Sequence, residues 1–280
     1  MHEWDAVVIG GGPAGLMAAG EIARQGHRVA LVEAKPSPAR KFLMAGKSGL
    51  NLTKDEPIGA LLAHYGDAED WLAPMIRAFD AQAVQDWAQG LGQALFTGST
   101  GRVFPKAMKA SPLLRAWLAR LADTGVTLHT RWSWTGWSEG AAIFDTPNGE
   151  QRIPADMTIL ALGGASWARL GSDGSWSKLL DDTTPFAPAN VGFLRKWSPH
   201  MNSYIGQPLK GIALRAGDMT SRGEIVLSAA GLEGGGIYEV SRAVRDGHPL
   251  TVDLVPDLSA EQVQERLSRK AAKMTLTRFL

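Results

Sequence analysis

Gly10-Gly11-Gly12-Pro13-Ala14-Gly15 carries the spacing G-x-G-x-x-G between the apolar run "DAVVIG" and the helix-forming run "AGLMAAGEIARQG". Each position has a mechanical use. Gly10 allows a tight turn, Gly12 lets a pyrophosphate approach the backbone, and Gly15 lets helix and strand pack closely. Pro13 and Ala14 would open the helix, whose N-terminus offers free N–H groups and partial positive charge to a diphosphate. Glu33 closes the next apolar run, "HRVALVEA". There it would accept hydrogen bonds from both ribose hydroxyls of an adenosine and repel a 2′-phosphate, which disfavours NADP at this turn. An ordinary glycine turn is the bland alternative, and the strand–turn–helix–strand–acid context counts against it.

A second stretch, "KFLMAGKSGLNLT" (41–53), ends Gly46-Lys47-Ser48 like a phosphate-binding P-loop. The spacing fails, because G-x-x-x-x-G-K-[ST] needs glycine where Lys41 stands. Pro36 and Pro38 before it, and Asn51 and Thr53 after it, also replace the strand and helix that a P-loop joins. Other chemistries find less support. The six histidines show no metal-ligand spacing, so no metal site is expected. No G-x-S-x-G elbow occurs, and Asp181-Asp182 and Glu69-Asp70 read as solvated caps rather than acid/base pairs. Without cysteine there is no thiolate nucleophile, redox dithiol, disulfide or thiolate-bound metal. Gly234-Gly235-Gly236 reads as a tight turn before a helix. No residue stands out as catalytic.

The elements that must position these groups can be read in outline. The first 34 residues form a βαβ unit, with Gly26 closing the helix. "EDWLAPMIRAFDAQAVQDWAQGLG" has helical periodicity with a break near Pro74, and "SPLLRAWLARLADTG" is an amphipathic helix with Ser111 as N-cap and Gly125 at its end. "VTLHTRWSWTGW" and "AAIFDTPNGEQRI" alternate as an antiparallel meander turning at Asn148-Gly149, followed by a buried strand "DMTILALGG". The tryptophans of "RWSWTGW" read as packing on a sheet face. A composition change at "DDTTPFAPANVGF" places a domain boundary near residue 188. Short strands and glycine turns then run to 258, and "SAEQVQERLSRKAAKM" forms a last helix.

FAD and NAD share the first fingerprint. "ILALGG" (159–164) adds a second glycine turn at a strand end, and the meander lies between the two turns. That order suits a FAD domain better than a plain NAD domain. Taken together, GGGPAG with Glu33, "ARKFLMAGKSGLNLT", "GRVFP" (101–105), "ILALGGASWARLGSDGSW" (159–176) and "GEIVLSAAGLEGGGIYEVSR" (223–242) resemble the aminoacetone oxidase family of FAD-binding enzymes. These are two-dinucleotide-binding-domain flavoproteins related to bile-acid-inducible-type NAD(P)H-dependent reductases. The resemblance implies a Rossmann-like α/β FAD-binding domain (1–188) with a small antiparallel meander, and an inserted, mainly β substrate domain (189–280). It also implies that Arg40 and Lys41 flank the FAD diphosphate and ribitol, and that Gly46, Lys47, Ser48 and Asn51 sit near the isoalloxazine. Relatives often read G-x-G-R-C-N there; this chain lacks the Arg-Cys pair, which removes thiol-assisted chemistry. Lys47 is either a cation that stabilises the reduced ring or a surface lysine. Val126 is implied as a backbone contact of the adenine. Ala34 and Ala161 complete the cofactor set, and Gly163 and Gly164 approach the phosphates.

The expected activity is FAD-dependent oxidoreduction, with hydride passing between a small organic substrate, an amine among the candidates, and the flavin. Oxygen or a transient NAD(P)H donor would close the cycle. The alternatives are an NAD(P)H-dependent reductase of an activated double bond and a flavin-binding module without turnover. The second arises because the resemblance implies a later return to the FAD domain that nothing after Gly164 supplies, so both domains would be truncated. An RNA-modifying flavoenzyme is a further class. A net charge of +1 with no basic stripe argues against a nucleic-acid partner. No apolar run reaches the ~18 residues of a spanning helix, and Glu3 and Asp5 stand where a signal peptide carries basic residues. A cytoplasmic protein without a membrane partner is expected.

Overall fold

Unbroken apolar runs such as Ala6–Ile9 and Val29–Val32 suit strands covered on both faces. In the computed structural model, which describes residues 2–46 and 49–269, they are β1 (Trp4–Ile9) and β2 (Val29–Glu33), joined by α1 (Pro13–Arg24). Next come α2 (Arg40–Ala45), β3 (Thr53–Lys54), α3 (Ile58–Ala63), α4 (Glu69–Ala78) and α5 (Ala81–Gly90). After β4 (Leu95–Thr97) and β5 (Arg102–Pro105), which form a small sheet with β3, the chain enters α6 (Ala110–Asp123) and β6 (Val126–Thr130). The meander β7 (Ser133–Ser138), β8 (Ala141–Thr146) and β9 (Gly149–Leu160) completes the main sheet, in the order β6-β2-β1-β9-β8-β7.

The sheet is parallel where β6, β2, β1 and the second half of β9 meet, and antiparallel from the first half of β9 to β7. Its two faces make two cores. Ala6, Val8, Val29 and Leu31 pack on α1 and α6 through Leu16, Ala19, Leu113 and Trp117. Val7, Ile9, Ala30 and Val32 pack on Phe144 and Ile153. The fold is thus Rossmann-like α/β with a small antiparallel meander. Asp5 anchors the return from α1, accepting hydrogen bonds from the Arg28 backbone N–H (2.7 Å) and its guanidinium.

Compact units divide between Phe186 and Ala187. The second unit is mainly β: β10 (Phe193–Leu194), β11 (Pro208–Ala216), β12 (Met219–Ser228), β13 (Gly231–Glu233), α7 (Gly235–Arg245), β14 (Thr251–Asp253) and α8 (Ala260–Ser268). Its sheet order is β10-β13-β12-β11-β14, and α7 lays Ile237 and Val240 on Ile212, Leu214 and Ile225. Ser259 and Gln262 form a reciprocal capping box at α8. The end of the expected last helix, beyond 269, lies outside the described residues.

Several local expectations are corrected. "VTLHTRWSWTGW" is two strands, because Arg131 takes φ 63° and turns the chain from parallel β6 into antiparallel β7. "DMTILALGG" does not start a new strand. It continues the third meander strand as one 12-residue β9, with Pro154 at the hand-over from β8 to β1. Nor is its end fully buried: Met157 and Leu160 are exposed, since residues 155–160 pair with β1 on one side and with no described strand on the other. Pro74 lies inside α4, and the break falls at Asp80, whose carboxylate accepts the Ala83 N–H (2.9 Å) as N-cap of α5. Ser111 falls in the first turn of α6, behind the N-cap Lys109.

Phe144 is fully buried. Phe144→Ala is expected to destabilise the first unit by about 3–5 kcal/mol, read from urea unfolding. The Arg28 hydrogen bonds lower the Asp5 carboxyl from its ordinary 3.8 to about 2. The stability this contributes is present above the ordinary value and is lost as pH falls through the folded one. Asp5→Asn should therefore flatten the acid unfolding curve between those two values, and the folded-state titration of Asp5 by NMR checks the cause.

Candidate functional site

The carboxyl ends of β1, β2 and β9 converge on one turn. Gly10 has φ 116°, and a Cβ there would lie 2.2 Å from the Ala161 carbonyl oxygen. A Cβ on Gly15 would lie 1.8 Å from the Gly10 carbonyl oxygen, so glycine is what lets α1 start against β1. Gly12 is the opposite case: a Cβ there would meet nothing within 4 Å, because it would enter open space. Pro13 takes the first helical position, where the N–H it lacks would have had no acceptor.

Glu33 ties this turn to the end of β2. One carboxylate oxygen accepts the Gly11 N–H (2.9 Å) and the other accepts the Lys35 N–H (2.7 Å). An ionised carboxylate has about four acceptor positions, so two remain for further donors. The Trp132 N–H donates to the Glu33 carbonyl (3.1 Å), and the Ala39 N–H donates to the Gly11 carbonyl (2.8 Å). Ala39 itself sits at φ 55° at the start of α2.

These groups enclose a cavity of about 500 Å³, in the range of small-molecule sites. Gly10, Gly12, Pro13, Glu33, Ala34, Arg40, Lys41, Ala161, Gly163 and Gly164, all expected from the sequence, line it. The other described residues of the expected set do not. Ala14 and Gly15 lie behind the turn in α1. A Cβ on Gly46 would be 2.6 Å from the Ala110 Cβ, which makes it a packing residue against α6. Asn51 is exposed away from the lining. Val126 pairs with Val29 at the start of the parallel strands, whereas Thr130 pairs with Glu33, so register carries Val126 to the far end of the sheet. Lys47 and Ser48 lie outside the described residues.

The cavity also holds groups that the sequence reading did not select: Lys35, Trp132, Ser133, Trp134, Ser172, Asp173 and Trp176. The Ser175 hydroxyl, and then its N–H (2.9 Å), hold the Asp173 carboxyl below its ordinary value. Behind Trp132, ring centroids 4.5 Å apart, burial pushes the His129 imidazole below its ordinary value and so toward the neutral form. "RWSWTGW" and "LGSDGSW" were visible as aromatic and glycine-turn clusters, but only the register of β6 and the course of 161–176 bring them here.

The lining fits the adenosine diphosphate half of a dinucleotide. Gly12 leaves room beside the start of α1, and the Arg40 Nε is buried in the lining without a partner. Among the described residues no group of His, Asp and Glu could hold a metal ion, and no helix is long and apolar enough to cross a membrane.

Comparison with known proteins agrees with this geometry. Residues 4–185 match the HI0933-like protein Rossmann domain, and residues 187–279 match the HI0933-like protein barrel and H2TH domain. The chain belongs to the HI0933-like family. A curated relative, the 3-dehydro-bile acid delta(4,6)-reductase of Clostridium scindens, is 28% identical, over 92% of this chain and 66% of its own length. The ribosomal RNA dihydrouridine synthase of Escherichia coli K12 is 21% identical, over 93% of this chain and 66% of its own length. The chain thus spans about two thirds of the curated relatives it matches. Among solved structures, the 3-ketosteroid-delta4-(5alpha)-dehydrogenase of Rhodococcus jostii RHA1 matches at 14% identity, 58% of this chain, 46% of that chain and a TM-score of 0.41. An overlap that partial carries no argument here.

The two glycines predict opposite variant behaviour. Gly12, at φ −81°, accepts alanine. Gly12→Ala is expected to hold or raise stability, by about 0.4–1 kcal/mol, while its methyl group obstructs dinucleotide binding. Gly15→Ala is expected to destabilise the first unit by about 1–3 kcal/mol. Thermal melts paired with dinucleotide titrations separate the two.

Proposed function

We propose that this HI0933-like chain is a FAD-dependent oxidoreductase whose Rossmann cavity takes the adenosine diphosphate half of FAD. The observation that carries the reading is Glu33, held at the cavity by the Gly11 and Lys35 N–H groups with acceptor positions left over. Those positions suit the two ribose hydroxyls, and the carboxylate charge disfavours a 2′-phosphate. The first-turn N–H groups of α1 have no acceptor one turn back and face the space beside Gly12, where a diphosphate would be favoured. Arg40, with its unpartnered Nε, adds a cation at the same place. FAD, when bound, supplies a ring that accepts or returns a hydride.

For the substrate we favour a small organic molecule with an activated carbon–carbon double bond, reduced at the expense of NAD(P)H. The names of the two relatives described above support that direction: one is a delta(4,6)-reductase, and dihydrouridine is uridine with one ring double bond saturated. The resemblance to aminoacetone oxidases supports a second reading, in which a small amine is the donor and oxygen the acceptor.

The test is a visible spectrum of the purified chain with added FAD, followed by anaerobic mixing with NADH, NADPH or small amines. We expect a bound flavin that NAD(P)H bleaches and a conjugated enone restores. Bleaching by an amine alone, with peroxide formed on admitting air, would establish the oxidase instead. Restoration only by uridine-containing RNA would move the substrate to nucleic acid. A bound flavin that no donor bleaches would leave a binding module, and a chain that takes up no FAD would overturn the proposal.

A further inference from the structure

Beyond β9 the chain from Gly163 to Trp176 folds into a wall of the cavity, contributed by Gly163, Gly164, Ser166, Leu170, Ser172 and Trp176 among others. Most of its hydrogen bonds are internal. The Trp176 indole N–H donates to the Gly163 carbonyl (3.0 Å), the Gly174 N–H to the Ser172 hydroxyl (3.1 Å), and the Ser175 N–H to Asp173 (2.9 Å). The Leu170 and Gly171 N–H groups bond back to Trp167 and Ala168, and Ser177 bonds to Gly174. Such a segment holds its own shape, but these bonds do not hold it against the rest of the unit.

Lys41 does. Its Nζ leaves α2 and donates to the Ser172 carbonyl at 3.1 Å and to the Gly164 carbonyl at 3.4 Å. The two carbonyls sit near opposite ends of the wall, so one ammonium draws both ends toward α2. Its stem lies along Gly171, where a Cβ would be 3.0 Å from the Lys41 Cε. Among the described residues, no other hydrogen bond runs from 163–176 to an element before β9. Two of the three ammonium N–H groups are thereby committed to backbone oxygens.

We infer that Lys41 is a positioning residue that clasps the 163–176 wall onto α2 and so sets the width of the dinucleotide cavity. This rests on the FAD reading above for its consequence, but the clasp itself is made by protein atoms alone. The wall carries Gly163, Ser172 and Trp176 into a cavity lining that Arg40 and Phe42 of α2 share, and Lys41 stands between those two residues on the same helix. A role for Lys41 only as counter-ion to the diphosphate would not require its Nζ to lie within hydrogen-bond distance of the Ser172 and Gly164 carbonyls.

The test is hydrogen–deuterium exchange on the unliganded 280-residue chain, for wild type, Lys41→Met, Lys41→Arg and Gly171→Ala. Peptides covering 163–176 should exchange about ten-fold faster in Lys41→Met, the scale expected for losing hydrogen bonds from a charged donor. Lys41→Arg, which keeps charge and donors, should restore most of the protection, and β1 and α1 should be unchanged throughout. Gly171→Ala is the milder probe should Lys41→Met unfold. It displaces the lysine stem and should loosen the same peptides. A parallel FAD titration, followed by tryptophan quenching, should show about ten-fold weaker binding for Lys41→Met. Unchanged exchange of 163–176 in both Lys41→Met and Gly171→Ala would overturn the inference. So would weaker FAD binding without faster exchange, which would make Lys41 a counter-ion. A wild-type chain that takes up no FAD would overturn the cofactor reading alone, because the exchange comparison needs no ligand.

Discussion

The Glu33 carboxylate is the knot of this molecule. It fastens the glycine turn after β1 to the chain leaving β2 through two backbone N–H groups, and its own carbonyl receives the Trp132 N–H. Three strand ends are thus gathered by one residue. A hydrogen bond to a charged group contributes about 1.5–3 kcal/mol. Geometry matters more here than energy, because the knot fixes where the start of α1 points and which side chains face the cavity. The same carboxylate keeps acceptor capacity in reserve, so structural and binding roles share one side chain.

The glycines make that convergence possible by contact rather than by flexibility. Gly10 and Gly15 exclude side chains because backbone atoms already occupy the space, one against Ala161 and the other within the turn itself. Gly12 excludes a side chain for the opposite reason, since the space it faces is part of the cavity. Three residues of one type, six positions end to end, therefore answer to two different demands. An aligned start of helix and strand is one; an empty cradle is the other.

What could be read from the amino-acid sequence follows the range of the interactions. The turn and Glu33 were legible because a strand, a turn, a helix and a second strand are contiguous and each carries a local signal. Val126 was misplaced because register within a parallel sheet is settled by neighbours far along the chain, and it puts Thr130 rather than Val126 level with Glu33. Gly46 looked like part of a binding loop but packs on Ala110, a contact that no spacing announces. Lys41 was expected at the cavity and is there. Its partners stand 123 and 131 residues further on, and nothing local to either end foretells that pairing. The Pro74 break was misjudged because a proline costs a helix one hydrogen bond, whereas Asp80 caps a new helix outright.

β9 is one strand serving two sheets' worth of pairing: antiparallel to β8 as far as Pro154, parallel to β1 from Ala155. Side chains alternate faces without interruption along such a strand, so its two halves cannot be adjusted separately. One residue inserted between Ile153 and Ala161 would invert every later position and carry Ala161 and Gly163 off the cavity. The same insertion in the turn before Gly149 would be absorbed as loop. Length variation in this segment should therefore accumulate at the hairpin and stop short at Pro154. Through this strand the meander is locked in phase to the dinucleotide turn.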